Sequence, residues 1–165
     1  MSYISCFSGI GGLEASEPPM LCCEIDPECQ TVLKSRFKKA IIETDIRSLS
    51  GYSADIVTGG WPCQDISVAG LRQGLKGKQS GLFFDLLRVA KDSGCHTIIA
   101  ENVPNLLHLE NGGVFREVLE QFSAHGFPNI SWRLLNARWF GLPHNRNRIF
   151  IVASKQIDPP VTLHR

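Results

Sequence analysis

The chain has 165 residues, 43% of them hydrophobic and 20% charged, a length that favours one domain with a core of its own. Seventeen Lys and Arg against sixteen Asp and Glu leave a formal charge of +1, which excludes a uniformly basic surface but leaves room for a local basic groove. No run approaches the roughly 18 uninterrupted apolar residues of a membrane span, and Met1 to Ser5 carry no basic flank ahead of an apolar stretch; the expectation is a soluble, unprocessed, cytoplasmic protein with no membrane partner.

Short apolar runs bounded by Gly, Pro, Asp or Ser predict strands over 3–7, 20–24, 40–43, 54–58, 97–101, 131–136 and 148–154. Helices fit between them at 27–37, 82–93 and 114–125. Asp26-Pro27 opens the first, an N-cap followed by a residue whose missing N–H costs nothing in the first turn. The second carries Leu82, Phe83, Leu86, Leu87, Val89 and Ala90 as one broad apolar stripe. Strands alternating with helices predict an α/β fold built on a mostly parallel sheet. Residues 59–81 hold six glycines and the basic set Arg72, Lys76 and Lys78 without clear periodicity, which points to a functional loop or a disordered one. The tail from Ile157 to Arg165, with Pro159-Pro160 in it, reads as the start of a linker, so residues 1–155 are expected to form one domain and 156–165 a stub.

Six cysteines include no Cys-x-x-Cys pair, and no two of the five histidines stand at metal-ligand spacing. The thiols are expected to be reduced and a structural metal site absent.

The first strand runs into Ser8-Gly9-Ile10-Gly11-Gly12, where glycines permit a tight turn and bring a ligand close to backbone N–H groups. The loop is neither a P-loop nor a dinucleotide fingerprint, because Glu14 stands where the third glycine would be. Only eight residues, Leu13 to Met20, precede the second strand, and Pro18-Pro19 limit any helix there to about two turns. Glu24 and Asp45 follow the second and third strands. At the carboxyl edge of a doubly wound sheet such acids hold ribose hydroxyls and an adenine amine, or else simply face solvent from their loops.

After the fourth strand, Gly59-Gly60-Trp61-Pro62-Cys63-Gln64 places a thiol on a glycine-framed turn, a candidate nucleophile. Glu101, in Glu101-Asn102-Val103-Pro104, ends the fifth strand, and Arg146-Asn147-Arg148 leads into the last. A thiol, a carboxyl group and a guanidinium on strand ends of one edge are what attack on an electron-poor ring requires.

These residues, in this order, resemble the catalytic domain of the cytosine-5 DNA methyltransferases over nearly the whole chain. Phe7-Ser-Gly-Ile-Gly-Gly-Leu-Glu14 resembles the family's cofactor loop, while Glu24-Ile25-Asp26 and Asp45-Ile46 resemble its ribose and adenine contacts. Gly59-Gly-Trp-Pro-Cys-Gln64 with Ser67 and Gly70 resembles the nucleophile motif, and Ser80-Gly-Leu-Phe-Phe-Asp85 the motif after the mobile loop. Glu101-Asn-Val-Pro104 resembles the carboxylate motif and Gly141-Leu-Pro-His-Asn-Arg-Asn-Arg148 the arginine motif.

The resemblance implies a Rossmann-like class I methyltransferase fold with a seven-stranded sheet, and transfer of a methyl group from S-adenosylmethionine to carbon 5 of a cytosine flipped out of duplex DNA. It implies cofactor contacts from Phe7, Ser8, Gly9, Gly11, Gly12, Glu24, Ile25, Asp45, Ile46 and Pro62. Cys63 would attack carbon 6, Glu101 would bond the ring nitrogen and exocyclic amine, and Arg148 would hold the base oxygen and orient Glu101. Arg146 would assist the flipped nucleotide or the sulfur. Gln64, Ser67, Arg72, Lys76 and Lys78 would meet DNA. Family members continue into a target-recognition region, so a second polypeptide is expected to supply it; the competing readings are a minimal enzyme and an inactive S-adenosylmethionine-binding remnant. Methylation of cytosine in RNA is a further alternative, for which the Cys-Phe-Thr tripeptide of the transfer RNA enzymes is missing. Departures from the family are the short first crossover, Ile66 for phenylalanine, Gln79 for arginine and His144 for glutamine.

Overall fold

Alternation of side chains decides where the first strand lies. In β1 (Tyr3–Cys6) the apolar Ile4 and Cys6 point to one face of the sheet and Tyr3 and Ser5 to the other. Ile4, Ser5 and Cys6 are all buried, which places the strand inside the sheet rather than at its edge. The structure is a computed structural model that describes residues 1–14, 17–62 and 81–156; the expected linker from 157 onward lies outside the described residues.

The remaining strands are β2 (Leu21–Cys23), β3 (Ile41–Glu43), β4 (Ile56–Gly59), β5 (Thr97–Asn102), β6 (Asn129–Asn136) and β7 (Asn147–Ser154). They form one seven-stranded sheet in the order β3-β2-β1-β4-β5-β7-β6. The first five pair in parallel, and β7 enters antiparallel between β5 and β6. The expected mostly parallel α/β sheet is therefore present. β6 begins earlier than its apolar pattern suggests, because Asn129 and Ile130 complete the ladder opposite Ser154 and Ala153. Strand order reverses between β1 and β4, whose ends meet as Cys6 opposite Gly59. In open α/β sheets that switch point is where ligands bind.

Helix α1 (Pro27–Arg36) starts where expected, with the Asp26 carboxylate accepting from the Glu28 amide at 2.7 Å and the Cys29 amide at 3.3 Å. Lys34 and Arg36 in its last turn complement the helix dipole. Helices α2 (Gly81–Asp92) and α3 (Gly113–Ala124) each begin one residue before their apolar stripes. Phe83, Leu86, Leu87, Val89 and Ala90 of α2 and Val114, Phe115, Val118 and Phe122 of α3 form one core with Ile4, Val57, Ile98 and Ile151 of the strands. At its centre the rings of Phe83 and Phe122 meet edge to face, 5.4 Å between centroids.

The connection from β1 to β2 departs most from a regular crossover. Its described residues, 7–14 and 17–20, contain turns and bends but no helix. Short polar groups support it instead. The Ser5 hydroxyl donates to the Glu14 carboxylate at 2.5 Å and lies 2.8 Å from the Ser8 hydroxyl. Farther along, the Tyr3 hydroxyl donates to the Glu17 carbonyl, and the Met20 amide to the Tyr3 carbonyl at 3.0 Å. Glu14 is only 3% exposed and its second carboxyl oxygen has no partner among the described residues. Burial raises the Glu14 carboxyl above the ordinary carboxylate range.

Phe122→Ala empties the centre of the core, and it is expected to cost about 3–5 kcal/mol in a urea unfolding experiment. Glu14→Gln tests the buried carboxyl. A carboxyl raised on folding favours the folded state below its unfolded value and opposes it as pH rises through its folded value. The substitution should therefore raise the urea midpoint at pH 7, with the gain fading as pH falls to about 4; a lower midpoint at pH 7 would contradict the assignment.

Candidate active site

The glycine loop leaves β1 through Phe7 and Gly9 in the left-handed region, with φ of 55° and 54°. The Gly11 amide closes the turn on the Ser8 carbonyl at 2.9 Å, and the Ser8 amide reaches the Cys23 carbonyl at 3.2 Å. Glu24 joins this loop to α1. One carboxylate oxygen accepts from the Gly9 amide at 2.7 Å and the other from the Asp26 amide at 3.0 Å. Side chains added at Gly9 or Gly12 would meet nothing within 4 Å, so the loop faces open space. Ile10 and Ile25 are large apolar residues exposed beside it, at 58% and 63%.

Asp45 ends the next loop. Its oxygens accept from the Arg47 amide at 3.0 Å and from the Arg47 guanidinium at 2.7 and 2.9 Å, and this pairing holds the Asp45 carboxyl below its ordinary range. Ile46 turns inward and is buried in the core. The turn is gripped from α2 by Arg88, which donates to the Ile46 carbonyl at 2.5 Å and to the Leu49 carbonyl at 2.8 Å.

On the other side of the switch point, β4 and β5 bring a second group together. Arg148 Nε donates to Glu101 Oε1 at 2.8 Å, with both side chains about four-fifths buried at 23% and 20% exposure. Glu101 lies opposite Phe150, so Arg148 two residues away shares its face of the sheet. The Glu101 carboxylate occupies the space that a side chain at Gly60 would need: a Cβ there would stand 2.8 Å from Oε2. Asn102, pointing to the opposite face, donates from its amide to the Trp61 carbonyl at 3.1 Å and accepts from the Val103 amide at 2.8 Å. Trp61 is buried against Phe83, 5.1 Å between ring centroids. The backbone is thus fixed up to Pro62, the residue before Cys63.

Cys63 itself lies outside the described residues, as do Gln64, Ser67, Arg72, Lys76 and Lys78. Arg146 is exposed; its carbonyl accepts from the Ala137 amide at 3.0 Å. Asn136 donates to Asn145 and Asn147 at 2.8 Å each, framing that arginine. Sequence reasoning missed Asn102, Arg88 and Asn136, whose partners are remote carbonyls and amides that no local pattern announces. The five described cysteines are free. Burial pushes the Cys22 thiol up to about 11 and the Cys23 thiol to about 12, so neither is a nucleophile near neutral pH. Among the described residues, no group of three His, Cys, Asp or Glu side chains is placed to hold a metal ion, and no helix is long and apolar enough to cross a membrane.

Comparison with known proteins bears on these geometries. The chain is 36% identical over 169 residues to the type II methyltransferase M2.BsuMI of Bacillus subtilis, covering 96% of this chain and 43% of that protein. It is 34% identical to the type II methyltransferase M.Bsp6I of a Bacillus species, covering 96% of this chain and 53% of the relative. The chain thus spans about half the length of these curated relatives. Among solved structures, the S. pombe Dnmt2 methyltransferase matches with a TM-score of 0.69 at 21% identity, over 93% of this chain and 50% of that one. The Entamoeba histolytica methyltransferase EhMeth matches with a TM-score of 0.66 at 18% identity, over 94% and 53%. At these identities the two structures speak to the fold alone. The family model of the C-5 cytosine-specific DNA methylases matches residues 1–163, and with motifs and sheet order in agreement the chain belongs to that family.

Proposed function

We propose that this chain is the catalytic half of a DNA cytosine-5 methyltransferase, taking its methyl group from S-adenosylmethionine and using Cys63 as a covalent nucleophile. The observation that carries the reading is the Glu101–Arg148 pair, seated over Gly60, which precedes Cys63 by three residues in the chain. Residues 1–155 form the catalytic domain and 156–165 a linker.

The cofactor edge fits an adenosine that ends in a charged amino acid. Open glycines at 9 and 12 allow close approach to the backbone, the exposed Ile25 is an apolar platform, and the Glu24 carboxylate offers acceptors for hydroxyls. Asp45, kept ionised by Arg47, retains lone pairs for an exocyclic amine. When bound, S-adenosylmethionine supplies an electrophilic methyl group.

The chain's own groups prepare the cytosine to receive it. Cys63 as thiolate adds to carbon 6 of the flipped base, and the ring electrons move toward carbon 5 and the ring nitrogen. Glu101, held by Arg148 and carrying a proton for this step, donates it to that nitrogen and accepts from the exocyclic amine, so the negative charge that develops on the ring is neutralised as it forms. Once carbon 5 carries the methyl group, a water molecule takes the carbon 5 proton, the freed electron pair forms the carbon 5–carbon 6 double bond as the carbon–sulfur bond breaks to release the thiolate, and the ring nitrogen returns its proton to Glu101. Arg72, Lys76 and Lys78 contact phosphates, and Gln64 and Ser67 line the DNA side.

Cys63→Ala is expected to abolish transfer of labelled methyl to mixed-sequence duplex DNA, assayed alone and with native host extract, while S-adenosylmethionine affinity stays within about twofold because the thiol is assigned to the base and not to the cofactor. Residual turnover in that variant would exclude a covalent mechanism through Cys63. Gly60→Ala should drive the Glu101 carboxylate aside, and kcat should drop on the order of a hundredfold with the fold retained by circular dichroism. Unchanged kcat in the alanine variant would show that the position of Glu101 does not matter.

A further inference from the structure

The glycine loop lacks the support such loops usually take from a helix of their own, since the described crossover residues contain none. The end of α1 supplies a substitute. Arg36 Nη1 donates to the Ile10 carbonyl at 2.6 Å, at the tip of the loop. The guanidinium lies over the Phe37 ring, 5.3 Å from its centroid, which fixes its plane. Phe37 also fills the space beside Gly11. That glycine sits at φ +84°, and a Cβ there would stand 2.6 Å from the Phe37 ring and 3.4 Å from the Arg36 guanidinium. The Phe37 amide donates to the Leu33 carbonyl at 2.8 Å, so the clamp is anchored to the one buried residue of α1. Glu24 meanwhile holds the start of the same loop through Gly9.

We infer that Arg36, steadied by Phe37, is a positioning residue for cofactor binding: it holds the Ile10 carbonyl so that the glycine loop keeps its open shape before the cofactor arrives. The inference rests on the S-adenosylmethionine reading above. A carbonyl bound by a guanidinium is a charge-assisted contact across 26 residues. Its loss frees a loop that must then be ordered at the expense of binding.

The test uses the full chain with Arg36→Ala, Arg36→Lys and Phe37→Leu. S-adenosylmethionine Kd is measured by calorimetry, hydrogen exchange at residues 8–12 is measured without cofactor, and thermal unfolding controls for the fold. Arg36→Ala should weaken S-adenosylmethionine about tenfold and speed exchange of the Gly11 amide, with Tm little changed because Arg36 is exposed. Arg36→Lys, which retains a donor, should recover part of both effects, and in a transfer assay KM for the cofactor should rise while kcat stays. Equal affinity and equal loop exchange in Arg36→Ala and the parent would overturn the clamp, as would a loss that Lys does not rescue at all. If the parent itself binds no S-adenosylmethionine, the cofactor reading fails, and exchange at 8–12 still decides whether Arg36 holds the loop.

Discussion

Van der Waals exclusion at Gly60 is the constraint on which the corner between β4 and β5 depends. The Glu101 carboxylate and the turn after β4 compete for the same volume, and only a residue without a side chain lets both be present. Given that vacancy, Arg148 crosses from β7 to bind the carboxylate, and Asn102 on the other face pulls the Trp61 carbonyl into line. One small residue thus permits a carboxylate, its guanidinium partner and the backbone that carries the thiol to share one corner of the sheet. A pair about four-fifths buried repays its desolvation only where the geometry is good, and the 2.8 Å contact between Arg148 Nε and Glu101 Oε1 supplies it.

Much of this was legible in the sequence, for identifiable reasons. The strands are short apolar runs with strong punctuation, and α2 and α3 have apolar stripes of helical period, so their positions were expected to within a residue or two. Asp26-Pro27 announced α1 by cap chemistry alone. Glu101 and Arg148 were named from strand ends, and the antiparallel register of β7 on β5 turns that proximity into contact. What stayed hidden is long-range and backbone-directed. Arg36, Arg88 and Asn102 bind carbonyls of Ile10, Ile46 and Trp61, and a carbonyl has no signature in sequence. The pairing of Asp45 with Arg47 was likewise unseen, although the two are close in the chain, because a loop arginine has many places to go.

A shared device emerges from those hidden contacts. The loops at the switch point are irregular, and short turns alone fix them poorly. Arginines on neighbouring helices reach back and bind their carbonyls: Arg36 of α1 for the glycine loop, Arg88 of α2 for the turn at 46–49. Arg88 also bonds Asp85 on its own helix, so the guanidinium is oriented before it reaches the turn. Rigid elements thereby lend their order to flexible ones, and the loops stay open to a ligand without collapsing.

The place of β7 in the sheet has a consequence for how the protein is made. On the ribosome the five parallel strands emerge first, and β5 waits with an unsatisfied edge. β6 follows but has no seat, since it pairs with β7 and not with β5. Only when β7 has been translated can it pair with both β5 and β6, and that pairing brings Arg148 onto Glu101. The nascent chain therefore holds the Glu101 carboxylate without its guanidinium partner until β7 has been made, and topology alone sets the order in which that corner of the sheet is assembled.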